Sequence, residues 1–344
     1  MKSLIVTAEN ELEIKEVPKP IYNTKQALVK VISCGICGTD LTLIQKSFKG
    51  IPKKSYPIML GHEAIGRVEE VGSEVNSFKK GDIVFLPFND AKKLETVTLE
   101  SAWGGFSEYG VVDDNNSYKF VEAPEASFAQ QIVPSDIDPI DAAMIVTLRE
   151  VYSALKHFNI KSKETIVVFG SGTVATTFIK LLKLIGVKTI IGVARSEEKS
   201  QILKKSGAAY VINSNIENIY EKLNQIQPHG VDRVLDAVGS SEIINQGLSL
   251  IKDRGEILCY GVPNKNNMNL DWSNAPYNWK LNFQQMPYKQ EEGEATDTIL
   301  KWVRSGDIDL KEYISDYFHF DNVIDAFKKV QNKRVLKKAI ITFE

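Results

Sequence analysis

The sequence predicts an α/β protein in two parts: a β-rich first domain, then a mainly parallel, doubly wound sheet, with a final segment that returns to the first domain. Three observations predict it. Residues 1 to about 147 contain short apolar, β-branched runs separated by Gly, Pro and Asn-Ser turns. From Thr165 onward strand-like and helix-like segments alternate, the signature of parallel strands joined by crossover helices. The first of these strands, Thr165 to Phe169, ends in Gly170-Ser-Gly-Thr-Val-Ala175 and runs directly into the apolar-periodic stretch Phe178 to Ile185.

In chain order, Leu4-Ile-Val, Ala27 to Ile32, Ala64 to Val71 and Asp82 to Leu86 are the strand candidates of the first domain. Asp141 to Phe158 then changes to helical spacing, with Ala143, Met144, Leu148, Val151, Tyr152 and Leu155 on one face, and serves as the domain connector. After the strand-turn-helix come strand Lys188 to Ala194, helix Glu197 to Ser206 and strand Ala209 to Ile212. Helix Ile216 to Gln225, strand Val231 to Leu235, helix Glu242 to Ile251 and strand Glu256 to Tyr260 complete the alternation. Asn264 to Trp279 reads as Asn-rich and irregular. Helices at Ala295 to Ser305 and Ile324 to Gln331 and strand Lys338 to Thr342 lie in the returning segment. The expected domains are therefore residues 1–147, 148–286 and the return 287–344.

The strand-turn-helix-strand unit is of the dinucleotide-binding kind, with a bare tight turn as the plainer reading of a lone G-x-G-x-x-A. Gly170 permits the tight turn, Gly172 lets the backbone approach a pyrophosphate, and Ala175 keeps helix and strand close. Gly170, Ser171, Gly172, Thr173 and Val174 are the expected phosphate-side contacts, where free N–H groups and the positive end of the helix dipole favour an anion. The end of the second strand indicates which nucleotide. An NAD-binding unit normally places a carboxylate there for the ribose 2′-hydroxyl, whereas this chain reads Ala194-Arg195-Ser196. Arg195 offers a planar fork to a 2′-phosphate, Ser196 a hydroxyl and Lys199 a further charge, so NADP(H) is expected, with NAD(H) as the alternative. A solvated Arg-Ser-Glu-Glu-Lys loop is the plainer reading of the same residues.

Composition narrows the partners. At 344 residues, with 42 basic and 44 acidic side chains and a net charge of −2, the chain has room for two cores and no basic face for nucleic acid. No run approaches the ~20 apolar residues of a membrane span, and the N-terminus is too poor in apolar residues for a signal peptide, which together point to the cytoplasm. Three cysteines, Cys34, Cys37 and Cys259, cannot build a disulfide framework, and the close pair suggests thiol or metal chemistry.

Two stretches of the first domain carry that chemistry: Cys34-Gly-Ile-Cys37-Gly-Thr39-Asp40 and Gly61-His62-Glu63-Ala-Ile-Gly66. Thiolate, imidazole and carboxylate from two turns of a compact β domain form the ligand set of a catalytic zinc, which keeps one position open and acts as a Lewis acid on an alcohol oxygen. Thr39, two residues after Cys37, is placed to take the hydroxyl proton and pass it on. A Cys-x-x-Cys alone is equally a redox or structural pair, and His62 alone a structural histidine. Their joint occurrence ahead of a nucleotide fold favours the metal. Cys34 reads as a packed thiol.

Taken together these residues resemble the zinc-dependent medium-chain alcohol dehydrogenases, especially the polyol, sugar and threonine dehydrogenase branch. The likeness runs through Gly35 to Asp40, Gly61 to Gly66 and on to Val68-Glu-Glu-Val-Gly72, Lys80-Gly-Asp-Ile-Val84, Gly104-Gly-Phe-Ser-Glu-Tyr109 and the Gly170 to Ala175 turn, so it spans essentially the whole chain. It implies a GroES-like catalytic domain, a Rossmann domain, and a cleft between them. It further implies Cys37, His62 and Glu63 as zinc ligands, with Thr39 in the proton path. Four departures accompany the likeness. Phe88 to Ser101 lacks the clustered cysteines of a second, structural zinc, so one catalytic zinc is expected and no structural one. The Glu-Pro pair of the connector helix is Val146-Thr147, with Glu150 one turn later as the candidate substitute ligand. Thr42 stands where a relay histidine is usual, and Ala194-Arg195-Ser196 replaces the NAD-type acid.

Weaker candidates are the strand ends Asp236-Ala-Val238-Gly239 and Gly261-Val-Pro263, whose Val238 and Gly261 are expected near the nicotinamide. Arg334 is either a cofactor contact or a surface charge. Lys46, Lys49, Lys53 and Lys54 form either a solvated loop or a site for a substrate phosphate. The reading is an NADP(H)-preferring zinc oxidoreductase interconverting a secondary alcohol of polyol, sugar or sugar-phosphate type and a ketone. Its alternatives are a zinc-free quinone or enoyl reductase on the same scaffold and a non-catalytic NADPH-binding sensor. The partner is a small molecule, with neither nucleic acid nor membrane, and the family suggests a homodimer or homotetramer paired through an edge strand near Glu256 to Tyr260.

Overall fold

The computed structural model describes all residues from Met1 to Glu344 except Phe120, Asn264 and Asn266, so the first residue of the Asn-rich segment lies outside the described residues. Two compact units emerge: Met1–Arg149 together with Tyr288–Glu344, and Glu150–Pro287. The boundary falls inside the connector helix Ala143–Phe158.

The first unit is built on a long strand, Gln26–Gly35, whose β-branched residues are buried along most of its length. It pairs antiparallel with Ala64–Val71, with Tyr109–Asp113 and with the last strand, Lys338–Thr342. A second sheet joins Leu12–Glu16, Lys2–Val6, Ile58–Met59, Val97–Ser101 and Lys92–Leu94. The last two form a hairpin in the stretch without cysteines. Between these sheets the apolar faces close on Leu4, Val31, Leu43, Leu60, Phe106 and Phe327, all nearly inaccessible. This core fixes the turns that carry Cys37 and His62, because both turns start from strands buried in it.

In the second unit six parallel strands run in the spatial order Tyr210–Asn213, Thr189–Ala194, Thr165–Phe169, Val231–Asp236, Ile251–Cys259 and Trp279–Phe283. In chain sequence that is 3-2-1-4-5-6, the doubly wound Rossmann order, which reverses direction between Thr165–Phe169 and Val231–Asp236. Ligands of such sheets bind outside the carboxyl ends of the strands at this reversal.

Four expectations need correction. The helix expected to run from Glu242 to Ile251 ends at Leu248, and Ile251 opens the strand Ile251–Cys259, because Gly247 packs its backbone directly on Val234 and Ile257 and the chain turns at Ser249. The segment read as irregular up to Trp279 continues into a sixth parallel strand, Trp279–Phe283, whose short alternation follows too closely on the Asn-rich run to stand out. The strand Ile251–Cys259, which holds most of Glu256 to Tyr260, is therefore covered on both sides, and the sheet edge beyond it is Trp279–Phe283. The helix expected from Ala295 begins at Lys289, since its first turn is polar and is held by Glu291, whose carboxylate accepts the Tyr288 N–H at 3.2 Å. Among the described residues no helix is long and apolar enough to cross a membrane.

Candidate metal centre and nucleotide turn

Cys37 sits at the N-cap of a short helix, Gly38–Ile44. Asp40 Oδ2 accepts the Cys37 backbone N–H at 2.9 Å, closing the turn that presents the thiol. The other oxygen, Oδ1, lies 3.4 Å from His62 Nδ1, and among the described residues neither atom has a hydrogen-bond partner. Asp40 is wholly buried and His62 nearly so. A buried carboxylate on one imidazole nitrogen leaves the other nitrogen to a ligand and fixes the plane of the ring.

His62 and Glu63 occupy the turn between Ile58–Met59 and Ala64–Val71. The turn is pinned by Gly105 N–H on the Gly61 carbonyl at 2.8 Å and by Phe106 N–H on that of Leu60 at 2.9 Å. Gly61 has φ +103°, and a Cβ there would stand 2.4 Å from the Phe106 nitrogen, so only glycine fits both the backbone and the space. One ligand atom each from Cys37, His62 and Glu63 lies within 4.8 Å of the others. The soft thiolate, half-buried, and the buried imidazole and carboxylate fit a divalent zinc ion.

Glu63 is held on both oxygens. Oε1 accepts from Thr147 Oγ1 at 2.7 Å and from Lys338 Nζ at 2.8 Å, and Oε2 lies 2.5 Å from the same ammonium. Lys338 Nζ also donates to Thr147 Oγ1 at 2.9 Å. Burial alone drives the Glu63 carboxyl toward its neutral form, but the Lys338 ammonium, His62 and the Thr147 hydroxyl hold it below the usual carboxylate range. Burial likewise opposes charge on His62, yet Asp40 and Cys37 raise it well above the ordinary imidazole value. Cys34, wholly buried, is pushed well up by burial, then by Asp40 and Glu63, which leaves it a packed thiol.

Thr39 Oγ1 lies 4.0 Å from Cys37 Sγ, on the first turn of the short helix. Thr42 is turned inward and donates its hydroxyl to the Thr39 carbonyl at 2.8 Å. Trp103, in the left-handed region at φ +67°, packs its ring 5.2 Å from that of His62 and edge-on to Phe48 at 6.1 Å. Beside them is a groove of about 470 Å³ lined by Phe48, Lys49, Phe88, Asn89, Ser101 and Trp103. Asn89 Oδ1 and Ser101 Oγ are buried there without hydrogen-bond partners among the described residues. Of the basic cluster, only Lys49 lines this groove; Lys46 is turned away onto the Ala8 carbonyl and the Tyr56 ring, and Lys53 and Lys54 lie exposed in a 3₁₀ turn.

Among the described residues the ligand cluster is Cys37, His62 and Glu63, without Glu150, and Thr147 of the connector helix is bonded to Glu63. Sequence reasoning missed the roles of Asp40, Thr147 and Lys338. Asp40 lay within the quoted motif and Thr147 at the missing Glu-Pro position, whereas Lys338 gave only the weak signal of one charge opening an apolar strand.

In the second unit, Gly170 has φ +120° and Gly172 is the N-cap of helix Thr173–Leu184, so Ser171 to Val174 form the turn and first helical residues. A Cβ on Gly170 would touch Val238 Cγ2 at 3.1 Å and Ala175 Cβ at 3.3 Å. The loop after Val231–Asp236 is drawn in by the buried Asp236 carboxylate, which accepts N–H groups of Val238, Gly239 and Ser240 at 2.8 to 2.9 Å. Burial nevertheless raises the Asp236 pKa, the three N–H groups opposing it. Gly261 N–H donates to the Asp236 carbonyl at 3.0 Å. Gly170 to Val174, Val238 and Gly261 thus meet at the carboxyl edge where the sheet order reverses. Ala194 ends its strand buried, Arg195 is exposed, and Ser196 caps the next helix by accepting the Lys199 N–H at 3.3 Å. Arg334 belongs to the first unit, exposed on the turn after helix Val323–Gln331.

A β-rich unit with a Cys-His-Glu cluster and a six-stranded parallel unit with a glycine turn at its reversal point define the zinc-type medium-chain alcohol dehydrogenases, and the chain belongs to that family. Residues 23–124 match the alcohol dehydrogenase GroES-like domain and residues 173–302 the zinc-binding dehydrogenase domain. Similar curated proteins include the starvation-sensing protein RspB of Escherichia coli, 26% identical across 100% of this chain and 99% of its own. Another is sorbitol dehydrogenase of Bacillus subtilis, 24% identical across 96% and 93%. Among solved structures, 2R,3R-butanediol dehydrogenase from Bacillus subtilis superposes with a TM-score of 0.79 over 100% of this chain and 99% of that one, at 20% identity. The family implies an enzyme acting on CH–OH groups with zinc and a nicotinamide dinucleotide.

Proposed function

We propose that this protein is an NADP(H)-preferring, zinc-dependent dehydrogenase that interconverts a secondary alcohol of polyol, sugar or sugar-phosphate type and the corresponding ketone. The observation that carries the proposal is the convergence of Cys37, His62 and Glu63 within 4.8 Å of one another, which also favours it over a zinc-free reductase on the same scaffold. These three would hold the ion, and zinc, when bound, supplies Lewis acidity to an alcohol oxygen. Asp40 orients the His62 ring, and Thr39 Oγ1 relays the hydroxyl proton, taking it from the alcohol while passing its own on toward solvent as the carbonyl forms and the hydride goes to the nicotinamide. The Gly170 to Val174 turn, Val238 and Gly261 hold the dinucleotide, and Arg195, Ser196 and Lys199 meet its ribose 2′-phosphate.

Substrate class rests on the groove beside Trp103. The polar residues Asn89 and Ser101 in its lining, whose Oδ1 and Oγ have no hydrogen-bond partner among the described residues, favour a hydroxylated molecule over a plain hydrocarbon chain. Lys49 is the cation there that suits a phosphorylated one. The sorbitol dehydrogenase relative supports a polyol. A homodimer or homotetramer belongs to the reading, with the outer strand Trp279–Phe283 as the edge available for pairing.

The test is a panel of alcohols and ketones offered with NAD(H) and with NADP(H), with metal content measured on the same sample. Cys37→Ser is expected to lose zinc and turnover together while still binding NADPH. Full activity in that variant removes the mechanism.

A further inference from the structure

Lys338 lies 275 residues beyond Glu63 and reaches it because the last strand pairs antiparallel with Gln26–Gly35. Ile340 stands opposite Gly35, and the Ile36 N–H donates to the Ala339 carbonyl at 3.0 Å, so Lys338 arrives level with Cys37. Its side chain is 3% exposed and that of Glu63 fully buried. Room for the pair comes from Gly35, where a Cβ would stand 2.3 Å from Glu63 Oε2 and 2.6 Å from Lys338 Cε.

The ammonium touches both oxygens of the carboxylate assigned to the metal. We infer that Lys338 is a positioning residue that competes with the metal ion for Glu63: it holds the carboxylate in the metal-free protein and weakens, and so makes reversible, the hold on zinc. This rests on the assignment of Cys37, His62 and Glu63 as ligands. A buried carboxylate needs a counter-charge, and without the ion the Lys338 ammonium is the cation bonded directly to it, ahead of the nearby His62. When a dication takes the same oxygens, the ammonium loses part of its partner and stands close to a second cation in a poorly screened pocket. Both effects favour the metal-free state. Thr147, bonded to both Glu63 and Lys338, keeps the carboxylate in one orientation in either state.

Zinc affinity, by competition with a chromophoric chelator at fixed pH, and melting temperature with and without zinc are measured on the wild type, Lys338→Met, Lys338→Arg and Cys37→Ser. Lys338→Met keeps the apolar stem and removes the charge. It is expected to bind zinc on the order of tenfold tighter, to melt lower than wild type without metal, and to gain more from added zinc. Lys338→Arg, which restores the ion pair, is expected to stay near wild type. Unchanged or weaker zinc affinity in folded Lys338→Met overturns the inference. Should Lys338→Met fold only with zinc, that supports it; should it and Lys338→Gln both fail to fold even with zinc, Lys338 serves folding alone and the inference falls. Absence of zinc binding by the wild type, or its full retention by Cys37→Ser, instead overturns the ligand assignment.

Discussion

Asp40 serves Cys37 and His62 with different oxygens: Oδ2 closes the turn on the Cys37 N–H at 2.9 Å, and Oδ1 faces His62 Nδ1 at 3.4 Å. One buried carboxylate thus sets the backbone of one candidate ligand and the ring of another. Asp40→Asn keeps an acceptor for the Cys37 turn but removes the charge behind the imidazole. It is expected to fold normally and to lose about 10–100-fold in zinc affinity or turnover. Chelator competition together with steady-state kinetics measures both, and wild-type values for both would remove Asp40 from the zinc site.

Arg195 is the side chain on which the proposed preference for NADP(H) rests. Exposed after a buried strand end, it is carried by Ala194 below it and by the helix that Ser196 caps. Replacing it with the acid typical of NAD-binding units, Arg195→Asp, repels a 2′-phosphate and offers an acceptor to a 2′-hydroxyl. The expected outcome is at least about a tenfold rise in the KM for NADPH with a lower KM for NADH. Equal kinetics with both cofactors in the wild type and the variant would show that the loop is only solvated.

The turn that presents His62 and Glu63 makes its own prediction. Gly61→Ala combines a left-handed backbone at φ +103° with a Cβ 2.4 Å from a backbone nitrogen, and neither Gly105 nor Phe106 can yield without breaking its hydrogen bond to this turn. A loss of about 2–4 kcal/mol is expected, read as a lower melting temperature together with reduced zinc content. The double signature matters, since a purely structural turn would lower stability without touching the metal.

What the sequence made legible follows the range of the interactions. The glycine turn, the helix Glu197–Ser206 and the strand Lys338–Thr342 depend on local spacing and capping, and the sequence expectation matches them residue for residue or within one. Cys37 and Glu63 were legible as candidates because each lies in a short stretch rich in chemistry. That they meet depends on the pairing of Gln26–Gly35 with Ala64–Val71, in which Cys34 faces Ala64. Lys338 was not legible: its partner is set by strand register across the whole chain, and a lysine at a strand start ordinarily reads as solvated. The sixth strand, Trp279–Phe283, was missed for a similar reason, since it is fixed by pairing with Gly255–Cys259 more than by its own weak alternation.

A last prediction concerns acid stability, away from the candidate site. Asp114 is fully buried and accepts from the backbone of Asn76, Ser77 and Asn116 and from the hydroxyls of Ser77 and Ser117, at 2.6 to 3.2 Å. Burial favours the neutral acid, but this ring of donors prevails and holds its pKa below the usual aspartate value. Because the folded-state pKa is depressed, the stabilisation is fully present above the unfolded value of about 4 and is lost as pH falls from there through the folded one. Asp114→Asn, which cannot accept all five donors, is expected to cost about 2–3 kcal/mol at neutral pH. Its melting temperature should also fall less steeply than wild type between about pH 5 and pH 3, since the titrating group is gone. Parallel melting curves for the two proteins over that range would refute the assignment of this acid sensitivity to Asp114.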